Sequence, residues 1–247
     1  MKYLSISIFL MAFFTSCNTP VKEGNLIITG NIKGLKKGTI YLQKVKDTTL
    51  VTVDSMVVKG NAEFAFTSQI QEPEIHYIYL DKADGKQYND RIDFFAEPGE
   101  IRITTNVMDF ERDIKIVGGK NQMQYAVYKK MLQRFNDRNL RLIKENFEAD
   151  KQKDEEKLIE NDKAYKNLLR QKYLYTVNFA LLNKKLEVAP YVTLNEIYDA
   201  NIKLLDTVAQ SLSPKVKKST YGKQLINYVK DLKAKKAQSK EENTKEQ

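Results

Sequence analysis

Tryptophan is absent from this 247-residue chain, cysteine and histidine occur once each, and proline only five times. Each shortage removes a kind of chemistry. A lone cysteine leaves no Cys-x-x-Cys pair, so dithiol exchange lacks its resolving thiol and the fold stands without an internal disulfide. A lone histidine, His76, lacks the convergent partners that a metal site or an acid–base pair needs. It sits in the apolar run Ile75-His76-Tyr77-Ile78-Tyr79-Leu80, which predicts a surface or half-buried packing residue on a strand. The apolar stretch Tyr3 to Phe14 is shorter than the about 20 residues a membrane-spanning helix requires. Charge of one sign is only modestly in excess, with 41 Lys and Arg against 32 Asp and Glu. Scattered lysines among glutamates, no recognisable nucleic-acid-binding signature and an export signal argue against a nucleic-acid partner. The charge fits solubility and weak attraction to anionic headgroups instead.

What is present begins at the N-terminus. Lys2 is the only charge before a greasy core, and Phe13-Phe14-Thr15-Ser16 then lead into Cys17. A basic start, a short apolar core and a small-residue cleavage zone make a secretory signal over residues 1–16. The cysteine directly after it resembles a bacterial lipobox, with Phe14 where leucine is usual. That resemblance implies that Cys17 becomes the lipidated first residue of the mature protein. At about 0.8 kcal/mol per buried methylene, several acyl chains hold a protein to a bilayer essentially permanently. The expected first partner is therefore the lipid bilayer, through lipidated Cys17. The expected location is the cell envelope, on the outer membrane, facing the periplasm or the cell surface. Residues 17–24 read as the tether. Loss of Lys2 with the signal lowers the net charge from +9 to +8.

Residues 25–118 carry β signals. Leu26 to Ile32, Thr39 to Val45, Leu50 to Val58, Ala62 to Phe66, Ile75 to Leu80, Arg91 to Ala96, Ile101 to Thr104 and Ile114 to Val117 are short runs rich in β-branched and aromatic residues. Turn residues separate them, including Lys59-Gly60-Asn61 and Asp84-Gly85. Alternation places Ala62, Phe64 and Phe66 on one face. The expectation is an antiparallel β-sandwich-like domain.

The period then changes. Tyr125, Tyr128, Leu132, Phe135 and Leu142 recur at helical spacing, as do Leu158, Tyr165, Leu168, Lys172, Val177 and Leu181. No proline or glycine occurs in residues 120–189, so two long antiparallel helices are expected, turning between Ala149 and Glu155. Pro190 is read as ending this region. Thr193-Leu194-Asn195-Glu196 reads as a capping box opening a third helix that buries Leu194, Ile197, Tyr198, Ile202, Leu205 and Val208. Leu225, Ile226 and Val229 anchor a last one. The class is α+β: the sandwich, then an α-helical domain of about four helices over residues 119–232, then a disordered charged tail over 233–247.

The order Ile28-Thr29-Gly30-Asn31-Ile32-Lys33-Gly34, Gly38-Thr39-Ile40-Tyr41-Leu42, Val53-Asp54-Ser55, Gly60-Asn61-Ala62-Glu63-Phe64 and Glu97-Pro98-Gly99 resembles the uncharacterised β-domain at the N-terminus of thioredoxin-like lipoproteins of Bacteroidota. Ser211-Leu212-Ser213-Pro214 and Tyr221-Gly222-Lys223-Gln224-Leu225 are similar to the helical segment that follows it there. The resemblance covers roughly residues 25–232. In that family a redox domain would follow near Leu232; here a charged tail does, and without a Cys-x-x-Cys pair disulfide exchange is not implied.

Other candidates have plain structural readings. Asp54-Ser55 lacks a base at a defined spacing and predicts local hydrogen bonding at a strand end. Glu97-Pro98-Gly99-Glu100 predicts a turn. Asp93, Glu97 and Glu100 do not make the loop that a calcium ion needs, and no cofactor or metal is expected. The Tyr125, Tyr128 and Phe135 stripe predicts core, and Glu156, Lys157, Glu160 and Lys163 a solvated face. Asp47-Thr48-Thr49, Asp54-Ser55-Met56 and Asp206-Thr207-Val208 resemble the short O-glycosylation pattern of exported Bacteroidota proteins. No catalytic residues are identified. The expected function is a non-enzymatic binding or assembly module of the envelope, with the helical half facing a protein partner. The alternatives are an accessory to a separate thioredoxin-like protein and a carboxylate-dependent hydrolase.

Overall fold

The computed structural model describes residues 23–82 and 90–245, with side chains through 238. The signal segment, Cys17 and the Asp84-Gly85 turn lie outside the described residues. The β-branched runs form eight strands among these residues: β1 (Leu26–Lys33), β2 (Lys37–Lys46), β3 (Thr49–Lys59), β4 (Glu63–Ser68), β5 (Glu74–Asp81), β6 (Asp90–Ala96), β7 (Gly99–Asn106) and β8 (Lys115–Val117). They make two four-stranded sheets, ordered β4-β1-β7-β8 and β3-β2-β5-β6. One pairing departs from the antiparallel expectation. β1 and β7 run parallel, Leu26 opposite Gly99 through Lys33 opposite Asn106, with five strands between them in the chain.

Inward side chains of both sheets share one core, in which Ile28, Ile40, Phe66, Ile78, Phe94 and Ile101 are fully or almost fully buried. Ala62, Phe64 and Phe66 all face it. The packing is close enough to require Gly30, where a Cβ would meet the Ile103 carbonyl oxygen at 2.3 Å and the Phe64 ring. On the β2–β3 hairpin the register slips so that Leu42 faces Asp54 while Gln43 faces Thr52. Val53 is the extra residue of this bulge, and the local bond expected at Asp54 is present, Ser55 N–H donating to Asp54 Oδ1 at 2.9 Å, though at the bulge inside β3 and not at a strand end.

His76 corrects the sequence reading. It is wholly buried rather than at the surface, because alternation along β5 puts it on the inward face with Ile78 and Leu80. Its Nε2 pairs with Glu74 Oε1 at 3.0 Å, its ring meets Phe94 edge-on, and its Nδ1 has no partner among the described residues. The opposite face of β5 and β6 is largely covered, with Ile75 and Phe95 buried and Tyr77 and Asp93 half-buried. It is where the helices dock.

Six helices follow among the described residues, rather than about four: α1 (Lys120–Gln152), α2 (Glu155–Leu182), α3 (Val188–Glu196), α4 (Ile202–Ser211), α5 (Pro214–Lys218) and α6 (Thr220–Lys245). The long hairpin turns at Lys153, which is left-handed at φ 56°, and at Asp154, whose side chain caps α2 by accepting from Lys157 N–H. This lies inside the expected window. At about 1.5 Å per residue, α1 is roughly 50 Å long, and its distal half keeps Leu140, Ile143 and Phe147 exposed.

The expected capping box is not one. Thr193 lies inside α3, its hydroxyl donating to Ala189 O at 2.8 Å, and Glu196 pairs with Lys172 of α2 at 3.0 Å. Pro190 likewise falls within α3, at its third residue, where a missing N–H leaves no intrahelical bond unmade. The real cap is Asn201, accepting from Lys203 N–H at 2.9 Å. The expected single helix is therefore two, and Tyr198 in the break is exposed. The charged tail is helical through Lys245, because Lys, Glu and Gln propagate a helix well once Leu225 and Val229 anchor its start in the core.

Candidate functional site

The site grows from one consequence of strand alternation. Residues of β5 and β6 that point away from the sandwich meet α1, α2, α3 and α6 in a largely aromatic cluster that includes Ile75, Phe95, Tyr125, Tyr128, Phe179 and Val192, flanked by Tyr77, Tyr191 and Tyr221. Phe95 is the hub. It meets Tyr125 at 5.4 Å, Tyr191 at 5.2 Å and Tyr221 at 6.2 Å between ring centroids, each edge-on, the geometry that ring quadrupoles favour.

Polar bonds fix the docking. Phe95 N–H donates to Gln122 Oε1 at 2.8 Å, and Ile75 N–H donates to the Tyr221 hydroxyl oxygen at 3.0 Å. Asp93 accepts from the Tyr125 hydroxyl and from Lys129 Nζ. The backbone N–H and hydroxyl of Thr220 both donate to the Glu72 carboxylate. Asn121 uses its whole amide: Nδ2 donates to Glu97 at 2.7 Å and to Glu187 at 3.0 Å, while Oδ1 accepts from Val188 N–H at 2.8 Å. One buried side chain thus ties the β6–β7 turn to the starts of α1 and α3.

The electrostatics keep the phenols neutral. Burial, followed by the charge of Asp93, pushes the Tyr125 hydroxyl far above its ordinary value, and burial does the same to Tyr191. Tyr221 is pushed up to about 12 by burial first, with the charges of Glu74, Tyr77 and Glu72 adding, against the Ile75 hydrogen bond. For Asp93 burial is the largest effect and works upward, yet Lys129 and Tyr125 together outweigh it and hold the carboxyl below the usual range. Glu74 behaves alike: burial is outweighed by His76 and Lys44.

Where β5, α3 and α6 diverge they leave a cleft of about 610 Å³. Tyr221, Gln224, Asn227, Tyr228 and Asp231 line it from α6, Tyr191, Leu194 and Asn195 from α3, and Glu74, Ile75 and Tyr77 from β5. The rings are held in place: Tyr228 donates to Tyr198 O at 3.0 Å, and Tyr191 and Tyr221 lie 5.0 Å apart. The outward polar groups are not. Among the described residues, the side chains of Gln224, Asn227 and Asp231 make no hydrogen bond.

Of the residues singled out in the sequence, Cys17 lies outside the described residues. Tyr125 and Tyr128 are buried and Phe135 half-buried, as core aromatics would be. Asp93, Glu97 and Glu100 are not brought together: Asp93 meets α1, Glu97 meets Asn121, and Glu100 is exposed on β7. The sequence reading missed Asn121, Gln122 and the α6 row. That row was visible as Tyr221, Gln224, Tyr228 and Asp231 at spacings of three and four, but such a row reads equally as core.

Residues 26–125 match a family described as a domain of unknown function, DUF4369. The match spans β1 to β8 and ends in the first turns of α1, so it takes in the docking residues Asn121, Gln122 and Tyr125. The cleft's α3 and α6 walls lie outside it. No curated protein matches the chain.

Proposed function

We propose that this protein is a lipid-anchored, extracytoplasmic binding module of the bacterial cell envelope. Cys17 fastens it to a bilayer, the tether gives reach, and the folded body holds a ligand in the seam cleft. The observation that carries this reading is the contrast inside the cleft between fixed tyrosine rings and unengaged amide and carboxylate groups. A wall whose apolar surfaces are pre-positioned and whose polar groups are unspent is what a recognition site needs.

The carboxylates support binding over hydrolysis. Paired-acid hydrolysis needs two carboxyl groups that both face the substrate bond from its flanks. Glu97 and Glu187 are instead both engaged by Asn121, and in the cleft Glu74 is held by Lys44 and His76 while Asp231 is solvent-exposed. An envelope protein partner on the distal hairpin, where Leu140, Ile143 and Phe147 are exposed, belongs to the same reading.

The test is recovery of the full-length protein from membranes of expressing bacteria, followed by mass spectrometry of its N-terminus and of co-purifying compounds. A diacyl or triacyl group on Cys17 is expected, together with a compound depleted when Gln224→Ala and Asp231→Ala are combined. An unmodified, freely soluble N-terminus overturns the anchor. Identical co-purifying material from both proteins overturns the binding role.

A further inference from the structure

We infer that the seam cleft binds an uncharged, polyhydroxylated ring ligand, in chemical class a neutral oligosaccharide. The inference rests on the binding-module reading and names its ligand class.

Three observations converge on it. The first is charge. Among its lining residues the cleft carries two carboxylates, Glu74 and Asp231, and no lysine or arginine, although the chain as a whole has 41 basic residues. An anion would meet two carboxylates there, with the nearby Lys44 ammonium already spent on Glu74. A cation would find only Asp231 open, because Lys44 Nζ already sits 3.0 Å from Glu74 and the Arg91 guanidinium already lies over the Tyr77 ring at 5.8 Å. One open carboxylate beside the amides of Gln224, Asn227 and Asn195 favours a neutral ligand rich in hydroxyls, which a carboxylate accepts as readily as an amide does.

The second is the pairing of groups. A pyranose has a face of C–H bonds and a rim of hydroxyls. Tyrosine rings take the face through apolar burial, while carboxamides and carboxylates, planar with paired donor or acceptor positions, take neighbouring hydroxyls. On α6 these alternate in one row, Tyr221, Gln224, Tyr228 and Asp231, and Asn195 faces them from α3.

The third is preorganisation. The rings are locked by the bonds of Tyr221 to Ile75 and Tyr228 to Tyr198, so little ordering remains to be done on binding. The amides of Gln224 and Asn227, by contrast, have no partner among the described residues and remain available.

Saturation-transfer NMR on the full-length protein tests this with maltohexaose, cellohexaose and xylohexaose. Spermidine serves as the cationic probe and inorganic phosphate as the anionic one. Transfer to the ring protons of at least one hexasaccharide is expected. Its affinity should fall about tenfold in the combined variant Gln224→Ala and Asn227→Ala, with the thermal midpoint unchanged because both side chains are exposed and unbonded. No transfer to any hexasaccharide, or transfer undiminished in that variant, overturns the inference. Spermidine or phosphate bound in its place, and lost in the variant, overturns the saccharide assignment while leaving the binding module standing.

Discussion

The hydroxyl of Tyr221 accepts the backbone N–H of Ile75 at 3.0 Å across 146 positions of the chain. That bond joins the start of the last helix to the strand whose outer face carries the docking surface, and it fixes one wall of the cleft. Tyr221→Phe keeps the ring in the aromatic cluster but leaves the Ile75 donor unpaired in a buried setting. Such an orphaned donor costs about 1–3 kcal/mol, and chemical denaturation should show a loss of that size with an unchanged m-value.

Asn121 should be more sensitive. Asn121→Leu removes three hydrogen bonds at once, two of them to carboxylates, and Glu187 is almost wholly buried. Hydrogen bonds to charged groups are each worth about 1.5–3 kcal/mol, so a loss of about 3 kcal/mol or more is expected. Urea unfolding would measure it. A loss below that of Tyr221→Phe would contradict the assigned role of the Asn121 clamp.

Gly222 tests the packing of α6 on α5. A Cβ there would stand 1.8 Å from the Val216 carbonyl oxygen, an atom fixed by the α5 backbone and by the Ser219 hydroxyl. In an open helix, Gly→Ala stabilises by about 1 kcal/mol; here forced displacement of backbone should reverse the sign, to a loss of about 1–3 kcal/mol. Thermal unfolding of Gly222→Ala shows which sign holds.

Acid should loosen the seam. The folded-state values of Glu74 and Asp93 lie below their ordinary 4.5 and 3.8. Their stabilisation is therefore present above those ordinary values and disappears as pH falls through the lowered ones. Stability measured from pH 6 downward should begin to fall near about 4.5, and Glu74→Gln with Asp93→Asn should flatten that slope.

Base acts with the opposite sign. Tyr221 is raised from 10.0 to about 12, and Tyr125 and Tyr191 are raised as well. Their contribution is complete below the ordinary phenol value and is lost as pH climbs through the folded values. Tyrosinate absorbance should therefore appear together with unfolding, rather than before it, for this group of phenols.

The sequence alone determined the class of the molecule. Alternating β-branched runs with turn residues between them dictate strands whatever their partners, and a long stretch free of proline and glycine dictates the α1–α2 hairpin. These are local signals carried by neighbouring residues. The proposed N-terminal signal and lipidated Cys17 rest on the same order of reading, a linear address. Tertiary structure decided what depends on contacts between distant positions. His76 was legible as a strand residue, but its burial followed from which face of β5 met the sandwich. Thr193 and Glu196 had the spacing of a cap, yet their partners lay at Ala189 and Lys172, so the helix continued through them. Nothing local distinguished Tyr191 or Tyr221; they became walls of a cleft only because three elements converged and left a gap between them. Side-chain alternation says that a strand has two faces; only packing says what each face meets, and the cleft exists because β5 and β6 are covered on both.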